Sequence, residues 1–99
     1  MTTNEPKTLY SCRLENTSEG HNKYYAIHVV DSRDGLFRVF SEYGKIGNKP
    51  AYSFSDAKGL NGTKSSEHEA LRSANELRRN KMDKGYVVKS EDKNLANNH

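Results

Sequence analysis

The chain has 99 residues, 32% hydrophobic and 29% charged, with a formal net charge of +3, an isoelectric point of about 9.0 and a mean hydropathy of -1.04. That length makes one domain with a thin core, with a stability on the order of 5 kcal/mol, and nothing in it approaches the roughly 20 apolar residues of a membrane span. The mild basic balance permits a polyanionic partner without demanding one, and the single cysteine, Cys12, excludes an internal disulfide framework and suits a reducing, cytoplasmic compartment.

Residues 1–7 are polar, lack the apolar run of a signal peptide, and read as a flexible tail ahead of a domain over 8–89. Over 9–15 the pattern alternates, with Tyr10, Cys12 and Leu14 on one face and Ser11 and Arg13 on the other, which predicts a strand carrying a buried thiol. Residues 16–23 are turn-rich. The segment 24–30 is dense in β-branched and aromatic residues, with Tyr25, Ile27 and Val29 on one face and Tyr24, Ala26, His28 and Val30 on the other. A loop over 31–35 closes with the Asp34-Gly35 pair of a hairpin. A long strand follows from Leu36 and runs into a glycine-broken turn at Gly44, Gly47 and Pro50. A shorter strand is expected over 51–55 and an exposed loop over 56–64.

Then the period changes. Ser66 and Glu69 form the spacing of a capping box, and a helix is predicted from there to about Asp83. Leu77, Ala70, Ala74 and Leu71 make its apolar stripe, with Met82 at the edge. Gly85 is its stop signal. Residues 86–89 predict a last short strand and 90–99 a second flexible tail. The fold class is α+β: an antiparallel sheet of four to five strands with one helix packed on one face.

Catalytic patterns are missing from this sequence. His21, His28, His68 and His99 show no metal spacing with one another or with Cys12. There is no phosphate loop, nucleophile elbow or dinucleotide fingerprint, and the carboxylates do not converge. No catalytic residue, metal or cofactor is therefore assigned, and the expected class is a binding module. On the helix, Glu69, Arg72, Glu76, Arg79 and Asp83 alternate in sign at spacings of three or four, a self-neutralising ladder. Arg78 and Lys81 fall in the apolar sector, where their stems can lie beside the core.

The turn after the long strand differs. Lys45 and Lys49 have no acidic neighbour beyond Glu42, and Tyr43 stands beside them. An aromatic ring next to cations is the minimal kit for nucleic acid, charge for phosphate and a ring face for sugar or base. Strict alternation sets Tyr43 on the face of Phe37 and Val39, whereas a bulge near Glu42 would turn it to a ligand; both orientations stay open on spacing alone.

At this point the residues resemble the WGR domain, named for a Trp-Gly-Arg motif and known from DNA-dependent poly(ADP-ribose) polymerases and from bacterial proteins. Asn22, Lys23, Tyr24, Tyr25, Ala26 and Ile27 are similar to the family's Asn-Lys-aromatic-Tyr strand. Phe37 to Phe40 with Tyr43, Gly44, Lys45, Ile46 and Gly47 are similar to its motif strand and turn. Glu69, Ala70 and Leu71, then Lys81 to Tyr86, resemble the bacterial stand-alone branch. The family's Trp is Tyr43 here and its Arg is Lys45; only Gly44 is kept. Tyrosine retains a ring that can stack, while lysine loses the bidentate fork of arginine.

The resemblance implies sequence-independent binding of a DNA backbone or end, by Tyr43, Gly44, Lys45 and Lys49, with Arg38, Lys23 and Lys84 as outer contacts. It brings no catalytic residue. The alternative is a protein-interaction adaptor, or a weak homodimer in place of a monomer, using an exposed aromatic sheet face (Tyr24, Phe40) or a free strand edge.

Overall fold

Two apolar patterns, one at period two and one at period 3.6, must bury against each other, and the chain does this with one sheet and one helix. The computed structural model describes residues 5–93. Its strands are β1 (Lys7–Asn16), β2 (Lys23–Asp31), β3 (Phe37–Lys45), β4 (Ala51–Ser53), β5 (Gly62–Lys64) and β6 (Val87–Lys93), with helix α1 (Glu67–Asp83) between the last two. The sheet is antiparallel in the order β4-β3-β2-β1-β6, and β5 also pairs with β3. This is the α+β architecture expected, with the helix against one face.

The expected faces hold. Tyr10, Cys12, Leu14, Tyr25, Ile27, Val29 and Val39 pack with Ala70, Ala74 and Leu77 of the helix. Leu14, Ile27 and Val29 are wholly shielded, each contributing roughly 1.5–3 kcal/mol. The small alanines let the helix sit close to the sheet. Cys12 is a buried free thiol, and burial pushes its ionisation up, so it is a core residue rather than a reactive one.

Two strands depart from expectation. The loop expected over 56–64 contains β5, whose Phe37↔Lys64 and Val39↔Gly62 pairs extend the β3 edge beside β4. Three residues are too few to show a period, and the segment is anchored by Asn61, a polar side chain only 4% exposed, next to Leu60, which packs against the core. The final strand also runs past Lys89, pairing as far as Tyr10↔Lys93. Its outer half is polar because it lies on the sheet edge; Tyr10 donates its hydroxyl to Glu91 there. The tails expected over 1–7 and 90–99 fall for the greater part outside the described residues.

The helix ends obey local chemistry. Ser66 caps the start, its Oγ accepting from the Glu69 N–H at 3.1 Å; the Glu69 carboxylate accepts from Ser65 instead of closing the box on Ser66. At the other end Tyr86 N–H donates to Lys81 O and Gly85 N–H to Met82 O, the paired bonds of a Schellman stop. Gly85 takes φ +100 there, and a Cβ would make only an ordinary 3.4 Å contact with Asn16 Nδ2. The cost of Gly85→Ala is therefore conformational, about 1–2 kcal/mol. A lowered urea midpoint with an unchanged slope is the expected result.

Candidate nucleic-acid interface

The open end of the helix-covered face forms the most chemically suggestive surface. Tyr43 lies directly across from Tyr25 in the β2–β3 ladder, so alternation alone places it on the core face. The last turn of α1 covers Tyr25, 8% exposed, and leaves Tyr43 40% exposed. The β2–β3 register is unbroken at Glu42, so no bulge turns the ring over: Tyr43 is on the core face, as alternation sets it, and is exposed because the helix stops short of the end of that face. The Tyr43 ring stacks on Tyr25 at 6.2 Å and 27°, and Tyr86 meets Tyr25 edge-on at 6.5 Å.

Cations ring this tyrosine cluster. Lys23 and Lys45 are directly opposed across the ladder, an arrangement that is repulsive. Lys81 joins them from the helix, its Nζ 4.2 Å from the Tyr25 ring centroid and 5.6 Å from that of Tyr86; the Lys23 Nζ lies 5.9 Å from the Tyr86 ring. Burial first, then Lys84 and Lys23, depress the ionisation of Lys81. Together with Gly44 these residues line an open groove of about 550 Å³.

One carboxylate, Asp56, also lines the groove, but its oxygens are committed. They accept from the backbone N–H of Leu60 and Asn61 and from Asn61 Nδ2, at 2.8–2.9 Å. Burial raises its ionisation, yet those hydrogen bonds outweigh it and hold the carboxyl below its ordinary range. Asn61 in turn accepts from Ser41 Oγ at 2.8 Å, and Ser41 from the Tyr25 hydroxyl at 2.7 Å. A buried relay therefore runs from the groove wall to the loop before β5. Among the described residues Arg13 pairs with Glu15 and Arg38 with Asp34, and His28 Nε2 lies 3.3 Å from Glu42 Oε1; none of these involves a groove lysine, and none joins the charges along the helix.

Of the residues singled out in the sequence, Lys23, Tyr43, Gly44 and Lys45 come together here. Gly44 takes φ +150, and a Cβ there would meet Lys49 O at 3.6 Å, so the turn folds back with Lys49 exposed beyond the groove. Lys84 stands at the margin, felt through its charge on Lys81. Arg38 is elsewhere: it lies on the opposite face of β3, 3.4 Å from Asp34. Lys81, Tyr25 and Tyr86 complete the groove. Lys81 shares the helix stripe of Ala70, Ala74 and Leu77, and a cation in that stripe was the available signal.

Among the described residues no helix covers the opposite sheet face. There His28, Phe40, Phe54 and Tyr52 form a run of neighbouring rings at 4.9–6.0 Å. Tyr24, expected to be exposed on this face, is only 4% exposed, because the Arg13 guanidinium sits 4.1 Å over its ring and Glu42 accepts its hydroxyl. Phe40 is half-buried.

Fold and groove together define a small α+β domain that presents an aromatic and basic surface at one end of its sheet. The chain belongs to the WGR domain family, which it matches over residues 10–93. Searches of curated proteins and of solved structures returned no match.

Proposed function

We propose that this chain is a non-enzymatic module that binds the nucleic-acid backbone, DNA ends included, through Lys23, Tyr43, Gly44 and Lys45, with Lys84 and Lys49 as outer contacts. The observation that carries the reading is the opposed Lys23–Lys45 pair beside an exposed ring and, among the described residues, without a carboxylate partner. A fold gains nothing by opposing two lysines across a strand pair, whereas a phosphate lying between them is held by both. The family points the same way, since WGR domains of poly(ADP-ribose) polymerases contact DNA. Such contacts are sequence-independent and salt-sensitive. The setting proposed is cytoplasmic; among the described residues no helix is long and apolar enough to cross a membrane.

Titration into labelled blunt duplex, nicked duplex and single strands at about 50 and about 200 mM salt tests this. Tyr43→Ala is expected to weaken binding by about 1–3 kcal/mol, the contribution of one stacked ring. Undetectable binding of every probe at low salt would refute the reading; equal binding by Tyr43→Ala would move the site. A protein-docking role for the opposite face is the second reading, carried by Tyr52 and Phe54, exposed at 50% and 64%. It predicts a partner, or a second copy of the chain, whose binding scarcely responds to salt.

A further inference from the structure

We infer that Lys81 is a phosphate-contacting residue that the helix holds in reserve on the Tyr25 ring and releases to the ligand. This rests on the nucleic-acid reading of the groove and adds to it a third element of the fold, the last turn of α1. In the free protein the Lys81 Nζ lies over Tyr25 and near Tyr86, and among the described residues no oxygen receives a hydrogen bond from it. Three donors on a partly desolvated ammonium are thus held by ring faces alone, at about 0.5–2 kcal/mol.

The charges that act on it, Lys84 from the end of the helix and Lys23 from β2, both repel it. Lys45 of β3 lines the same groove, and Asp56, the carboxylate there, is engaged by Leu60 and Asn61. A phosphate entering beside Tyr43 relieves that repulsion and offers the hydrogen-bond acceptors the rings lack. The same geometry couples binding to protons. Lys81 ionises below the ordinary lysine value in the free protein, and a bound phosphate raises it again. Affinity is therefore fullest below the free-state value and falls as pH rises through the window between the free and the bound values.

The test compares wild type, Lys81→Gln and Lys81→Arg on one short DNA duplex across salt and across pH. Lys81→Gln is expected to lower affinity about tenfold at low salt and to reduce the log–log salt slope by about one. Lys81→Arg is expected to keep the slope and to shift the alkaline loss of affinity to higher pH, because arginine does not titrate there. In wild type the Lys81 Hε resonances are expected to be displaced by the Tyr25 ring current and to return toward ordinary lysine shifts on adding DNA, a readout that does not depend on a variant folding. Wild-type binding with an unchanged slope in Lys81→Gln, or with Hε shifts that do not move, overturns the role of Lys81 and leaves the groove reading standing. Failure of wild type to bind removes both.

Discussion

The double variant Lys23→Ala/Lys45→Ala is expected to bind nucleic acid about a hundredfold more weakly and yet to unfold at a higher urea concentration. The first effect follows from two lost phosphate contacts, each about tenfold in affinity, and the salt slope should fall by about two. The second follows from the ladder itself. Lys23 and Lys45 are directly opposed in β2 and β3, and like charges in that position cost roughly 0.2–1 kcal/mol. Removing them relieves the strand pair, since none of the ion pairs among the described residues uses either lysine and the ring contact that Lys23 makes, 5.9 Å from Tyr86, lies at the outer limit of such contacts. Opposite signs in the two measurements mark a position where stability is given up for binding. Weaker binding accompanied by lower stability would instead make the pair a structural feature, its stems covering the tyrosines. The single variants report whether one lysine dominates. Lys45→Arg is the informative companion, because it restores the third letter of the family motif and offers the bidentate geometry that lysine lacks.

The fold was legible wherever side-chain period carried it. Tyr10, Cys12 and Leu14, then Tyr25, Ile27 and Val29, alternate cleanly because one face of each strand is covered by a helix whose own stripe is Ala70, Ala74 and Leu77. Where burial is polar, or the strand lies at an edge, that signal fails. The segment entering β5 is held by the buried polar Asn61 beside a single apolar residue, Leu60, and the outer half of β6 pairs with β1 through its backbone while Ser90 to Lys93 stay exposed. The site was half legible for a similar reason. Tyr43, Gly44 and Lys45 are contiguous in sequence, and the β2–β3 register sets Lys23 beside them. Lys81 reaches the same groove from a separate element, and only the packing of α1 on β2 brings it there. Arg38 illustrates the converse: five residues from Tyr43 in sequence, it lies on the opposite face because the strand period is two.

The wall of the groove is expected to depend on Asn61 more than on any of the tyrosines it supports. Asn61 accepts from Ser41 Oγ and donates its backbone N–H and Nδ2 to Asp56, while Ser41, wholly buried, accepts from the Tyr25 hydroxyl. Asn61→Ala leaves the buried Ser41 hydroxyl without an acceptor, an orphaned group that costs about 1–3 kcal/mol, while the exposed Asp56 loses one donor and keeps its two backbone ones. A loss of about 1–3 kcal/mol is a large fraction of a stability on the order of 5 kcal/mol, readable as a lowered urea midpoint. Ser41→Ala breaks the same relay, so the two variants should be strongly non-additive in a double-mutant cycle; simple addition would show that the bonds act independently. Acid provides a separate measure. The Asp56 carboxyl ionises below its ordinary value, so its contribution is present above the unfolded-state value and is lost as pH falls through the folded one. Asp56→Asn should therefore flatten the acid limb of the stability profile, and an unchanged limb would place that dependence on other carboxylates. Because Tyr25 carries both the relay and the ring under Lys81, Asn61→Ala should also weaken nucleic-acid binding while leaving the salt slope unchanged, since no phosphate contact is removed.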